Sequence, residues 1–118
     1  MKTHQICQLD ALPRHTVPEG IMRRAHGEQL TVLWGERGKG SSTPLHSHPH
    51  EQILWLISGE VEALIGDEPP RRLQANQVVI IPGGVPHEFR YVEECLLIEM
   101  FAPGREDLYP GGKHRNDL

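Results

Sequence analysis

Three histidines lie within five residues in the segment PLHSHPHEQ, residues 44–52, which ends in a glutamate and a glutamine. Neutral imidazoles bind divalent transition metals such as Zn, Fe, Ni, Mn and Cu. Alternate side chains of a strand share one face, so His46, His48 and Gln52 are predicted to point the same way. The segment alone indicates either half of a metal site or an exposed polar loop, and both interpretations stay open.

A second segment, IPGGVPHEF at residues 81–89, supplies one more histidine. Pro82 and Gly84 are residues typical of a tight turn, and His87 follows that turn directly. A turn of this kind is predicted to deliver His87 onto the start of a strand. Two separate parts of the chain therefore provide candidate metal ligands.

Short strands are the elements that must position these histidines. Apolar runs rich in Val, Ile and Leu recur at roughly ten-residue spacing, and 12 glycines and 10 prolines punctuate the chain. None of the runs has helical periodicity, so the pattern predicts an antiparallel β-sandwich or barrel. Ser58 and Gly59 are predicted to close one hairpin, and the stretch from Gly66 to Pro70 is predicted to open the next connection.

Length and charge set the class of protein. A chain of 118 residues fits a single domain over residues 1–118, with a core at about 20–105 between a loosely ordered N-terminal segment and the tail YPGGKHRNDL. The net charge of −4 argues against a general nucleic-acid binder. The N-terminus has no apolar signal region and the longest apolar run is ILWLI, so no membrane span is predicted. Cys7 and Cys95 form no disulfide framework, which favours the cytoplasm.

The two histidine segments resemble the motifs of the cupin superfamily. The first motif, G-x5-H-x-H-x(3,4)-E-x6-G, is matched by Gly40, His46, His48, Gln52 and Gly59. The second motif, G-x5-P-x-G-x2-H-x3-N, is matched by Asn76, Pro82, Gly84, His87 and Tyr91. Three positions depart from the motifs: glutamine replaces glutamate, asparagine replaces a glycine at a turn, and tyrosine replaces asparagine. Asparagine tolerates the left-handed conformation that such a turn requires.

This resemblance implies an all-β fold, the cupin double-stranded β-helix or jelly-roll barrel. It also implies one divalent metal ion per chain (Ni, Zn, Fe or Mn), bound by His46, His48, Gln52 and His87. Since these ligands are all neutral, the site would keep the full charge of the ion and act as a strong Lewis acid. His50 shares the parity of the ligands, but Pro49 interrupts the strand and the motif gives His50 no role, so a place at the rim is predicted. A vestigial polar cluster without metal is the alternative.

The segment IEMFAPGREDLYP, residues 98–110, leaves two orientations open. Alternation places Glu99 and Phe101 on one face, and Ile98 and Met100 on the other. The hydrophobic pattern alone favours burial of the aliphatic face and exposure of Glu99. The sequence around Arg105 is equally compatible with an ion-pair cluster on a surface loop.

The same segment, together with HSHPHEQ and IPGGVPH, resembles the small bacterial cupins of the KdgF type, which open the ring of 4,5-unsaturated uronates. That resemblance implies that Glu99 faces the pocket as a general acid or base and that Arg105 pairs with a substrate oxyanion. It further implies that Phe101 packs on the sugar, and Tyr91 is assigned to substrate binding. The family usually has aspartate where this chain has Glu99.

The function implied is a metal-dependent isomerase that converts a small sugar acid, a 4,5-unsaturated uronate, to its linear keto form. An iron-dependent cupin dioxygenase and a non-catalytic cupin that binds a small molecule are the alternatives. If Glu99 points inward, the apolar residues Ile53, Trp55, Ile57, Leu96, Ile98 and Met100 all point outward. A second subunit would cover them, so a homodimer is predicted, with no nucleic-acid or membrane partner.

Overall fold

The computed structural model describes residues 3–108, which form ten strands in two antiparallel sheets packed face to face. The strands are β1 (Arg14–Val17), β2 (Gly20–His26), β3 (Thr31–Arg37), β4 (Ser42–His46), β5 (Glu51–Ser58), β6 (Val61–Ile65), β7 (Arg71–Leu73), β8 (Val78–Ile81), β9 (His87–Tyr91) and β10 (Cys95–Ala102). Short 3-10 turns cover Leu9–Ala11 and Glu106–Leu108, and within these residues no helix is long and apolar enough to cross a membrane. The predicted all-β jelly-roll fold is confirmed. The predicted loose tail lies outside the described residues.

The chain passes repeatedly from one sheet to the other. The six-stranded sheet has the order β1-β2-β3-β10-β5-β8, and the four-stranded sheet has the order β4-β9-β6-β7. From β3 onward, only the pair β6 and β7 stays within one sheet before the chain crosses again. Because of these crossings, the segment from His46 to Gln52 begins in the four-stranded sheet and ends in the six-stranded sheet.

One of the two predicted turns has a different role from the one expected. Strand β6 pairs with β7, so the connection that begins at Gly66 closes a hairpin. Strand β5 pairs with β8 and β10 but not with β6, so the hairpin predicted at Ser58 and Gly59 is wrong. Gly59 instead carries the chain between sheets with a φ of 99°, and a Cβ there would lie 2.3 Å from the carbonyl oxygen of Glu94. Only glycine fits this crossing.

The core fills the space between the sheets. Its largest fully buried apolar side chains come from both inner faces: Leu54, Leu56, Ile81, Phe89, Tyr91 and Leu97. Asn76, which replaces a motif glycine, has a φ of 67°, so the left-handed conformation predicted for it is confirmed. This turn between β7 and β8 precedes the strand that ends at Ile81.

Strand β10 settles which face of the segment around Glu99 is buried. Glu99 is 7% exposed and Phe101 is 3% exposed, whereas Ile98 and Met100 are only half-buried on the outer face. The expectation from hydrophobicity alone, that Glu99 is exposed, is therefore wrong. Both faces of β10 carry apolar residues, so the pattern could not tell the inner face from the outer one.

Candidate functional site

Three histidines converge at one end of the space between the sheets. His46 ends β4 and pairs directly with His87, the first residue of β9, while His48 lies in the connection that leads to β5. Their potential ligand atoms all lie within 4.8 Å of one another, so this group could hold a metal ion. The strand predicted to carry both His46 and His48 ends at His46, because the chain there leaves the four-stranded sheet for the six-stranded one.

Backbone carbonyls fix the tautomer of each imidazole. The Nδ1 atoms lie at hydrogen-bonding distance from carbonyl oxygens: His46 from Pro44 at 2.8 Å, His48 from His50 at 3.0 Å, and His87 from Val85 at 2.9 Å. A carbonyl oxygen only accepts, so Nδ1 carries the proton and donates it in all three cases. Each Nε2 is then an unprotonated lone pair, which is the form that binds a metal.

Gln52 links this cluster to Glu99. The amide Nε2 of Gln52 donates to Oε1 of Glu99 at 3.0 Å, which leaves its Oε1 facing Nε2 of His48 at 2.9 Å. With Nδ1 of His48 protonated, two acceptors face each other across that 2.9 Å contact. Nε2 of His87 is buried and has no hydrogen-bond partner within the described part of the chain. A cation between these atoms removes the conflict, so the residues present fit a divalent metal ion.

A proton is a poorer candidate for that cation than a metal ion. Burial lowers the pKa of His48, and repulsion from Arg105, and from His87 if that ring is protonated, lowers it further against the smaller opposing effect of the contacts with Gln52 and His50. Burial also lowers the pKa of His87, again with a contribution from Arg105, although its bond to Val85 opposes the shift. The lowered pKa values favour the neutral form of His48 and His87, with their lone pairs available to a metal.

A cavity of about 200 Å³ has His46 of the histidine cluster in its wall. This volume is below the roughly 300–1,000 Å³ typical of pockets for drug-sized ligands, so it suits a small molecule. Its lining is mixed polar and apolar: Glu19, Met22, Leu33, Arg37, Thr43, His46, Ser47, Gln52, Glu99, Phe101, Arg105, Asp107 and Leu108. The structure thus brings Gln52, Glu99, Phe101 and Arg105 together beside the histidine cluster.

Arg105 is part of the cavity wall and of an ion pair at once. It is 8% exposed, its guanidinium lies 4.8 Å from the ring centroid of Phe101, and its backbone N–H donates to Thr31. Its Nε and Nη2 donate to the carboxylate of Asp107 at 2.8 and 2.6 Å. Asp107 therefore occupies two of the donors of the guanidinium that the resemblance assigns to a substrate oxyanion, and Nη1 is the end that Asp107 does not occupy. The ion pair expected under the alternative interpretation exists, but it borders the cavity rather than an open surface.

Tyr91 and His50 take other positions. The Tyr91 side chain is fully buried, its hydroxyl lies 2.6 Å from that of Thr43, and burial raises its pKa to about 12. It is absent from the cavity lining, so the structure does not bring it to the histidines, and its assignment to substrate binding stays a prediction. His50 is half-buried beside His48, with ring centroids 5.4 Å apart, and lies outside the three-histidine group.

Sequence reasoning missed two buried charged residues at the far end of the cavity. Glu19 is 3% exposed and accepts a hydrogen bond from Thr43 at 2.9 Å, and Arg37 is 5% exposed. Alternation along β3 puts Arg37 on the inner face with Leu33, but the segment LTVLWGER is apolar on both faces at its start. The side of β3 that is buried was therefore not evident from its pattern.

The sequence model of the Cupin domain family matches residues 33–101, more than half of the chain. The chain belongs to the cupin family. The matched range contains the residues discussed at the site except Glu19, Met22, Thr31, Arg105, Asp107 and Leu108. Arg105 lies beyond the matched range, and its position in the cavity wall is known from the structure.

Solved structures of other cupins share the whole fold. KdgF from Halomonas sp. is 25% identical with a TM-score of 0.79, over 90% of this cupin and 99% of that chain. An RmlC-like cupin from Shewanella frigidimarina has a TM-score of 0.81 at 21% identity, over 89% and 96% of the two chains. Among the curated proteins, the dimethylsulfoniopropionate lyase DddQ of Ruegeria pomeroyi is 45% identical over 47 residues. That match spans 40% of this cupin and only 23% of the lyase.

Single histidine substitutions should distinguish the metal ligands from a histidine that only lies beside them. His87→Ala deletes a buried Nε2 that has no hydrogen-bond partner among residues 3–108, so we expect the variant to retain much less metal than the wild type after reconstitution and dialysis. His50→Ala is the matched control and should retain it, because His48 bonds to the backbone carbonyl of residue 50. Elemental analysis measures the metal content. Equal metal retention in the two variants would contradict the assignment.

Proposed function

We propose that this cupin opens the ring of a 4,5-unsaturated uronate and releases the linear keto acid. The observation that carries the proposal is the hydrogen bond from Gln52 to Glu99, which ties a buried carboxylate to the histidine cluster inside a small cavity. The likeness to KdgF over nearly the full length of both chains supports it. The sequence resemblance to KdgF-type cupins, which open the ring of 4,5-unsaturated uronates, is the reason for proposing this reaction.

Glu99 is the group we assign to proton transfer. Its Oε1 is held by Gln52, so the carboxylate has a fixed orientation in the cavity and is buried from bulk water. In the proposed reaction, Glu99 takes the proton of the anomeric hydroxyl as the bond between the anomeric carbon and the ring oxygen breaks. The ring oxygen leaves with the electron pair as an enolate, and Glu99 returns the proton to the adjacent alkene carbon. The reaction is an isomerisation that consumes no water.

Arg105 and Phe101 are assigned to binding. The Nη1 end of the guanidinium, which Asp107 leaves free, would pair with the substrate carboxylate. The ring of Phe101 contacts both Arg105 and His48, and its centroid lies 5.7 Å from that of the His48 imidazole. We assign it to packing against the sugar face. These contacts orient the substrate and exclude water from the reacting atoms.

We propose His46, His48, Gln52 and His87 as ligands of one divalent ion. When bound, such an ion supplies Lewis-acid polarisation of the substrate carboxylate and its conjugated double bond. The neutral amide at position 52 has a specific use in this arrangement. A carboxylate there could not donate to Glu99, and two carboxylates would then repel each other at about 3 Å.

The local identity to DddQ supports a second candidate. That relative is named as a dimethylsulfoniopropionate lyase, and it is 45% identical to this chain over 47 residues. A buried carboxylate beside a metal could also remove a proton next to a substrate carboxylate, which is the step that a lyase of this kind requires. The cavity shared by Glu99 and Arg105 is compatible with either small acid, so both substrates belong in the same assay.

Loss of the proton-transfer and binding groups should abolish ring opening. We expect the metal-loaded protein to speed the loss of the ultraviolet absorbance of an unsaturated uronate above its spontaneous rate. Glu99→Gln and Arg105→Ala should each lower kcat/KM about 100-fold or more, because one removes the acid/base group and the other the carboxylate partner. Exposed residues supply the controls: Glu51→Gln and Arg90→Ala should keep the wild-type rate.

Each alternative gives a distinct result in parallel assays. Oxygen consumption in an electrode would indicate the iron-dependent dioxygenase, and cleavage of dimethylsulfoniopropionate would indicate the lyase. Tight binding of a uronate with no turnover would indicate the non-catalytic cupin. Ring opening that persists in both Glu99→Gln and Arg105→Ala would contradict the roles assigned to these residues.

We also propose that the chain acts as a homodimer, through the outer face of the six-stranded sheet. Two rows of apolar side chains run across four neighbouring strands there, Val32-Met100-Ile53-Ile80 and Trp34-Ile98-Trp55-Val78. Trp55 is 39% exposed and Ile80 is 63% exposed. A contiguous apolar face of this kind is typical of a subunit interface.

A charge placed in the middle of this face should separate the subunits. Light scattering at micromolar concentration should give twice the chain mass for the wild type and the single-chain mass for Trp55→Glu. Leu45→Glu is the control, because Leu45 is 65% exposed but lies on the four-stranded sheet, and it should stay dimeric. A wild-type protein with the mass of one chain would overturn the proposed dimer.

A further inference from the structure

Arg37 reaches into the cavity from the end remote from the histidines. Its Cα pairs with Cys95, but its side chain folds back along β3 over Gly35. A Cβ on Gly35 would lie 3.1 Å from both Cζ and Nη1 of Arg37 and 2.8 Å from Leu97. A glycine in the middle of a strand usually marks such a close approach, so Gly35 provides the space that the guanidinium occupies.

Glu99 lies between the two ends of the cavity. Along β10, Phe101 pairs with Gln52 on β5, Glu99 pairs with Leu33 on β3, and Leu97 pairs with Gly35. The guanidinium over Gly35 is therefore about two residues, or roughly 7 Å, further along the strand than Glu99. A ligand beside Glu99 could contact the histidine end and the Arg37 end at once.

The donors of Arg37 are only partly used. Its Nη1 donates to the carbonyl oxygens of Ile21 and Glu36, at 3.0 and 3.3 Å. Its Nε is buried and has no hydrogen-bond partner among the residues that the structure describes. Nε itself is closed to the cavity, and the guanidinium has a further hydrogen-bonding interaction with Tyr91. The guanidinium as a whole nevertheless lines the cavity, and its planar set of N–H donors can bind an oxygen acceptor there.

Local charge decides which acceptor fits. Burial alone would lower the pKa of Arg37, but Tyr91, Glu99 and Glu19 together raise it above its usual value, so the guanidinium stays charged. Glu19 and Glu99, both buried in the same cavity, already offset that charge. A carboxylate of the ligand at this end would place a third negative charge beside the single positive charge of Arg37, whereas a hydroxyl or carbonyl oxygen would add no charge.

We infer that Arg37 is a specificity-determining residue whose guanidinium binds a neutral oxygen at the end of the ligand remote from its acid group. The ligand class is then a small hydroxy or keto acid rather than a simple monocarboxylate or a diacid. This inference rests on the proposed function only in placing the acid group beside Arg105 and the histidines. It requires no particular reaction.

Matched ligands test this subsite by binding alone. Zinc-loaded protein would be titrated calorimetrically with 4-hydroxybutanoate, 5-hydroxypentanoate and 6-hydroxyhexanoate, each against butanoate, pentanoate or hexanoate. We expect at least one hydroxy acid to bind about tenfold more tightly than its parent, because only the hydroxyl can accept a hydrogen bond from the Arg37 guanidinium. Arg37→Met should reduce this ratio to about one.

Two further variants keep the test decisive. Gly35→Ala retains the charge but crowds the guanidinium, and it should also lower the ratio, which decides the matter if Arg37→Met does not fold. Arg105→Met should weaken both ligands of a pair and leave their ratio unchanged. The subsite is wrong if no chain length discriminates in the wild type, or if the ratio survives in folded Arg37→Met. Absence of ring opening with the ratio intact would overturn the proposed reaction and leave the subsite standing.

Discussion

Two hydrogen-bond acceptors, Nε2 of His48 and Oε1 of Gln52, face each other at 2.9 Å, and the rest of the site depends on how that contact is relieved. The orientation of both groups is fixed from behind, by the carbonyl of His50 on one side and the carboxylate of Glu99 on the other. A cation between them turns a repulsive contact into two favourable ones. The same amide that would bind the cation also holds Glu99, so metal binding and the position of the proton-transfer group are physically linked.

The jelly roll makes this arrangement attainable in a short chain. The crossing from β4 to β5 places His48 between His46, at the end of β4, and Gln52, near the start of β5. His46 and His87 come from paired strands of one sheet, while Gln52 and Glu99 come from the other. The interior charges are balanced locally, Arg105 by Asp107 and Arg37 by Glu19 and Glu99, which limits the cost of their burial.

The sequence predicted the fold and the histidine cluster well, because motif spacing and turn residues are local properties. Asn76 illustrates this, since its left-handed backbone follows from its residue type and its place in a turn. The sequence was less informative where topology decides. The turn at Gly59 has the composition of a hairpin, but its strands belong to different sheets. Glu99 and Arg37 lie on strands that are apolar on both faces, so only the packing of the sheets shows that they point inward.

A crystal structure of the nickel-loaded protein, with the ion located by anomalous scattering, tests the central claim most directly. The account predicts one ion about 2.0–2.2 Å from Nε2 of His46, His48 and His87 and from Oε1 of Gln52. It also predicts that Nε2 of Gln52 still donates to Glu99. An ion bound without Gln52, or an amide turned away from Glu99, would contradict the link between the metal and the carboxylate.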